Sequence, residues 1–210
     1  MKKKLRFTVE AKEANISENV SNYRIIELIT RTHIAIPVTL YFVLAFGFLF
    51  FAIQRQQMNP FVVTLLFFGG WLFFTLLEYV MHRWVFHMSI HNVARKKLQY
   101  LAHGLHHEFP KDKKRLAMPV PASLLLALVF FSFFWLIMRT YTYGFLPGVL
   151  VGYASYLFVH YLVHAYQVPK NYFKFLWVNH AIHHYKDDTV VFGVSSQLWD
   201  YIFGTMPKKR

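Results

Sequence analysis

The sequence predicts an all-α integral-membrane protein whose long helices pair into two hairpins. Three observations lead there. Hydrophobic residues make up 56% of the 210 residues, aromatics 20% and charged residues only 16%, more apolar surface than a small soluble domain can hide but natural in a bilayer. Four stretches close to the length of a membrane helix carry no charge at all. Almost all of the 23 Lys and Arg are crowded into three of the segments outside those stretches. The length suits one domain, read as a polar N-terminal segment over 1–32 and a membrane domain over 33–210.

In chain order, residues 1–32 are mixed in charge and lack the apolar core of a cleavable signal peptide, so they read as a retained cytosolic segment. Ile25–Ile29 reads as the start of an interfacial helix. Ile34–Ile53 is uncharged over 20 residues, and Phe61–Leu77 over 17, ending at Glu78. Met118–Met138 is uncharged over 21, with Pro119 and Pro121 near its start, where a helix best tolerates proline. Tyr141–Val159 is uncharged over 19. Crossing a bilayer takes roughly 20 apolar residues, so each stretch qualifies as a span. The connectors Gln54–Pro60 and Arg139–Thr140 are short enough to force antiparallel pairs, whereas Tyr79–Ala117 is long and basic.

Arg55 and Arg139 are the only Lys or Arg in the short connectors; the other 21 lie in the N-terminal segment, the long connector and the C-terminal tail. The positive-inside rule puts those three segments, and both termini, in the cytoplasm. The expected location is a bacterial inner membrane or the endoplasmic reticulum. The net charge of +13 is therefore a topology signal, and no nucleic-acid partner is expected. The absence of cysteine excludes disulfides, iron–sulfur clusters and zinc–thiolate sites.

Ten of the 12 histidines fall into four clusters: His82 and His87; His103, His106 and His107; His160 and His164; His180, His183 and His184. Fifteen residues separate His87 from His103, and fifteen separate His164 from His180. Each HxxHH triplet is offset from the other by 77 positions. The pattern reads as an internal repeat in which each hairpin carries one set of five. Residues three or four apart on a helix share a face, so His160 and His164 converge, as does each triplet. His82 and His87 are five apart, about 140° of rotation on a straight α-helix. Either they serve different ions or the helix loosens near Met81–His87. His33 and His91 lie outside the clusters and read as ordinary residues.

Ten imidazoles are too many for one ion; shared between two six-coordinate ions they leave about one open position each. Imidazole suits iron, zinc, copper or nickel. A saturated lipid chain beside the spans offers only C–H bonds, whose cleavage needs an oxidant such as iron with dioxygen; redox-silent zinc, a candidate occupant of the same nitrogens in preparations, cannot supply one. Metal ligands need a partner for their other ring nitrogen, and Glu78, Asp187, Asp188 and Asp200 are the candidate carboxylates, with Glu78 and Asp200 preferred. A metal store or transporter is the non-enzymatic alternative; it calls for polar residues inside the spans, and these spans have almost none.

The stretches EYVMHRWVFH, HGLHHEFPKDKKRLAMPVPASL, HYLVHAYQVP and HAIHHYKDDTVVFGVSSQLWDYIFGT resemble the fatty acid hydroxylase family, within the superfamily that includes sterol desaturases. The likeness covers about Glu78 to Pro207 and is nearest to fatty acid 2-hydroxylases acting on sphingolipid acyl chains. It implies four membrane helices beneath a cytosolic helical cap, a dimetal centre held by the ten clustered histidines, most simply diiron, and dioxygen as co-substrate. It also implies an external electron supply: here a separate donor such as a cytochrome-b-type protein or a ferredoxin, since only 32 residues precede the first span. A sterol or carotenoid oxygenase is the alternative within the superfamily. Relatives tend to carry Asp three residues before the third cluster, where this chain has Leu157. On this reading Lys111, Lys113, Lys114 and Arg115 are candidates to hold an anionic head group or simply mark a cytoplasmic loop, and Trp84, Phe109 and Trp199 are candidates to line the acyl path or anchor at the interface.

Overall fold

The computed structural model describes residues 31–88, 92–114 and 116–207, and every regular element among them is a helix. The expectations for Ile25–Ile29, His91 and Arg115 lie outside the described residues. The elements are α1 (Ala35–Gln54), α2 (Pro60–Val80), a π-helical turn (Met81–Phe86), α3 (Val93–Gln99), a second π-helical turn (Tyr100–Gly104) and α4 (Leu105–Glu108). Then come α5 (Val120–Met138), a 3-10 turn (Arg139–Tyr141), α6 (Thr142–Ala165), α7 (Lys174–Tyr185) and α8 (Leu198–Ile202).

Local chemistry sets the boundaries. Asn59 caps α2 by accepting the Phe61 N–H at 2.8 Å, and Pro60 occupies the first helical position, where its missing donor costs nothing. The α5–α6 reversal turns on Arg139, whose backbone sits at φ 51° and whose guanidinium stacks 4.5 Å from the Trp135 ring. Three helical stretches are long and apolar enough to cross a membrane: Ala35–Gln54, Pro60–Phe86 and Val120–Ala165. The second runs past Leu77, where the sequence suggested it ends, because Glu78 is buried and hydrogen-bonded rather than reaching for water. The third, at 46 residues, is more than twice what one crossing takes and is divided by the turn at Arg139–Tyr141.

Large apolar side chains point outward along these helices; Phe46 is 72% exposed, Phe61 69% and Leu136 68%. In water that surface is costly, and against lipid it is not. Inward, α1 and α2 both pack chiefly on α6. The approach of α2 to α6 is at backbone contact. A methyl at Gly148 would lie 1.9 Å from the Phe67 carbonyl oxygen, and one at Gly70 2.0 Å from that of Phe145. Gly144, Gly148 and Gly152 recur every fourth residue, the small-residue stripe that lets membrane helices close up. Tyr41, Phe74, Leu146, Val149, Leu150, Ala154 and Leu157 fill the remaining core. Leu157 is only 2% exposed, so it is a packing residue here. The short helices α3, α4, α7 and α8 follow from the ends of α2 and α6 and carry the remaining histidines or the segments beside them.

Candidate metal centre

The ten clustered histidines converge into two groups. His82, His87, His103, His107 and His183 form the first; His106, His160, His164, His180 and His184 form the second. Within each group the ligand nitrogens all lie within 4.8 Å of one another.

The first group depends on a departure from the α-helix. His82 and His87 diverge on a regular helix, but Met81–Phe86 winds as a π-helix, and the His87 N–H reaches the His82 carbonyl at 3.2 Å. A bond of that span returns the chain to the same face after five residues. The two rings are 5.1 Å apart and belong to one group, brought together by the loosened winding of Met81–Phe86. In the second repeat His160 and His164 reach the same arrangement four apart on the regular helix α6, with ring centroids 4.9 Å apart.

The repeat does not divide the ligands as the hairpins suggest. Each group takes four histidines from its own repeat and the middle histidine of the other repeat's HxxHH. His183 of α7 joins the first group and His106 of α4 joins the second. The crossing follows from helix geometry: the first and third histidines of a triplet are four apart and share a direction, and the middle one is set off by the rotation between neighbours.

The donor set fits metal ions better than it fits hydrogen bonds. His82 Nδ1 lies 2.5 Å from the Phe192 carbonyl oxygen and His183 Nδ1 2.8 Å from that of Val190. A carbonyl only accepts, so these Nδ1 atoms carry the proton and the Nε2 lone pairs face inward. His103 Nε2 lies 3.1 Å from His82 Nε2 and 2.9 Å from His107 Nε2. His106 Nε2 lies 2.9 Å from His160 Nε2 and 3.1 Å from His184 Nε2. His87 and His183 meet at 3.0 Å, and His164 and His180 at 2.7 Å. A neutral ring nitrogen has one proton or one lone pair and cannot satisfy two such neighbours at once. Two nitrogens bound at right angles, each about 2.1 Å from an ion, lie about 3 Å apart.

Electrostatics favour the ligand form. Burial holds His103, His106, His180 and His184 well below the ordinary imidazole range, and the crowded neighbouring rings push them the same way. Burial pushes His183 down to about 4, against the opposing pull of its bond to Val190. Rings held neutral keep their lone pairs free for a metal.

Among the described residues neither preferred carboxylate hydrogen-bonds to a histidine, though the charge of Asp200 acts on His183. Glu78 accepts the backbone N–H groups of Val194 and Ser195 at 2.7 and 2.9 Å and the Ser195 hydroxyl. Asp200 accepts the N–H groups of Phe192 and Gly193 at 2.9 and 2.8 Å and the Thr205 hydroxyl at 2.7 Å. The direct partners of His82 and His183 are instead backbone carbonyls, which no side-chain pattern reveals. Asp187 accepts from Thr189. Asp188 acts on His87 and His183 through its charge and lines a cavity of about 470 Å³ with Phe86, His87, Lys96, Tyr100 and His107.

That cavity reaches the first group only. Sequence reasoning missed its lining, because Lys96 and Tyr100 belong to a connector with no readable spacing. Trp84, Phe109 and Trp199 are not part of it. Trp84 is exposed, and the Trp199 indole donates to Thr75 at 3.0 Å. Lys111, Lys113 and Lys114 are exposed, with the Lys113 ammonium 5.9 Å from the Tyr166 ring centre. His33 stands apart and accepts the Ala35 N–H at 3.3 Å.

Residues 67–205 match the sequence profile of the fatty acid hydroxylase family. A dihydroceramide fatty acyl 2-hydroxylase from Arabidopsis thaliana is 37% identical over 139 residues, covering 66% of this chain and 59% of the relative. A ceramide very long chain fatty acid hydroxylase from Schizosaccharomyces pombe is 38% identical over 152 residues, covering 70% and 44%. The mouse fatty acid 2-hydroxylase is 39% identical over 146 residues, covering 67% and 39%. The chain thus spans less than two thirds of the length of these relatives. Among solved structures, full-length Scs7p with only its hydroxylase domain visible superposes with a TM-score of 0.79 at 26% identity, covering 95% of this chain and 83% of that one.

Proposed function

Because this chain belongs to the fatty acid hydroxylase family, we propose that it is a membrane-bound oxygenase hydroxylating the acyl chain of a fatty acid or sphingolipid near its carboxyl end. The observation that carries the reading is the convergence of ten buried or half-buried imidazoles into two groups of five at the ends of apolar helices. The overall change converts C–H, dioxygen, two electrons and two protons into C–OH and water.

Two ions, most simply iron, would be held by His82, His87, His103, His107 and His183 and by His106, His160, His164, His180 and His184. When bound, they supply the activation of dioxygen that no side chain of this protein can perform. The chain's own residues do the rest. Five imidazoles per group leave one position of six for a reactant. Burial keeps His103, His106, His180, His183 and His184 neutral, and the carbonyls of Val190 and Phe192 fix the tautomers of His183 and His82. The cavity beside His87 and His107 gives a reactant room against the first group, with Phe86 lining it.

The same reading gives the topology. α1, α2, α5 and α6 form four spans in two hairpins, with the histidine groups and the short helices as a cap on the cytoplasmic side. Both termini lie on that side, as the placement of Lys and Arg requires. Electrons come from a separate donor, for which the exposed Lys111, Lys113, Lys170, Lys174 and Lys186 suit an acidic protein surface. Lipid mass spectrometry of cells with and without the gene tests the function. The expected result is a gain of one oxygen on an acyl chain, reduced to background in His106→Ala. Unchanged lipids in cells whose protein carries its full metal load would overturn it.

A further inference from the structure

The segment Val190–Ser196 belongs to no regular element, yet it delivers two carbonyls to the metal centre: Phe192 to His82 and Val190 to His183. Both histidines belong to the first group. Four successive backbone N–H groups of this segment, Phe192 to Ser195, end on two buried carboxylates, Asp200 of α8 and Glu78 of α2. Its conformation is also unusual. Val191 has φ 54°, which a β-branched residue rarely adopts, and its N–H is tied to the Thr205 carbonyl at 2.9 Å. At Gly193 a methyl group would lie 2.0 Å from the Ser196 carbonyl oxygen and 2.7 Å from Asp200 Oδ2, so the strap fits only without a side chain there.

We propose that Glu78 and Asp200 are positioning residues for one of the two metal sites: by fastening this strap they aim the Val190 and Phe192 carbonyls at His183 and His82, and so orient the ligands of the first group alone. The proposal rests on the two-ion reading above. A carboxylate usually steers a metal-bound imidazole by accepting its N–H directly. Here the steering is relayed through backbone, and among the described residues neither acid hydrogen-bonds to a histidine ring. In the second group, by contrast, the Nδ1 atoms of His160 and His180 are buried without a hydrogen-bond partner among the described residues. The two ions are therefore inequivalent, and the strapped site is the one that opens on the cavity lined by His87, His103 and His107.

The test loads purified full-length protein with cobalt(II), challenges it with a competing chelator, and follows metal content and visible spectrum. Wild-type protein should hold two ions per chain, and a smaller number would sink the two-ion reading itself. In Asp200→Asn and in Glu78→Gln one ion should be held about 10- to 100-fold more weakly while the other keeps its wild-type affinity. The spectrum of the ion that remains should match the one left in His87→Ala, not the one left in His164→Ala. Equal weakening of both ions, or of neither, overturns the assignment. Ser195→Ala removes one hydroxyl bond to Glu78 and carries the same test where neutralising a buried acid prevents folding. It should weaken the same ion, and wild-type retention of both overturns the role of Glu78.

Discussion

Imidazole binds a metal only as the neutral ring, with the correct nitrogen bare and pointed inward. Burial provides neutrality at His103, His106, His180 and His184, and backbone carbonyls set the tautomer at His82 and His183. The exchange of His106 and His183 between the repeats has a consequence that spacing does not suggest. Replacing His106, a residue of the first repeat, should empty the second site. His106→Ala is expected to keep one ion, and the ion lost should be the one that His164→Ala also loses, as read by metal analysis and cobalt(II) spectra. Loss of the same ion as in His87→Ala would contradict the exchange.

At the level of the helix, the π-helical turn Met81–Phe86 is what lets a pair spaced by five do the work of a pair spaced by four. π-turns of this kind cost backbone regularity and recur at functional sites. Deleting Val85 leaves a spacing of four, as in His160 and His164, and should preserve two bound ions with the segment recast as α-helix. Inserting Ala after Val85 spaces the pair by six and should release the ion of the first group. Metal content of the two purified variants checks both outcomes; equal retention by both would show that the turn is not what brings the rings together. The glycine stripe on α6 acts at the same scale, because close approach of α2 at Gly70 and Gly148 sets the distance between the two helices that carry His82 and His160.

For the whole molecule the question is which side of the membrane each connector faces. The chain has no cysteine, so single cysteines report topology without background. Gln57→Cys, in the α1–α2 connector, and Lys186→Cys, beyond the second triplet, lie at opposite ends of the proposed spans. A membrane-impermeant thiol reagent applied to the cytoplasmic face of sealed vesicles should label only the second, and reach the first only after permeabilisation. Labelling of both from one side would remove the four-span arrangement and leave the histidine groups as they stand.

How much of this was legible in the sequence follows the range of the forces involved. Charge-free stretches, short connectors and ten clustered histidines are properties of neighbouring residues, and they sufficed to anticipate helices long and apolar enough to cross a membrane and the histidines that converge at their ends. The same local reasoning stopped at Glu78 as the end of a span, because its hydrogen-bond partners Val194 and Ser195 lie more than a hundred residues away. It could not tell that His82 and His87 converge, since a π-turn leaves no mark on composition. It also assigned Glu78 and Asp200 to histidines, when they hold a strap whose carbonyls make the contact. Sequence alone singled out the ten histidines that converge and the apolar stretches that form helices long enough to cross a membrane. Only tertiary structure decided how the ten are shared, because backbone carbonyls and helix rotation act through space and are identical in every residue that supplies them.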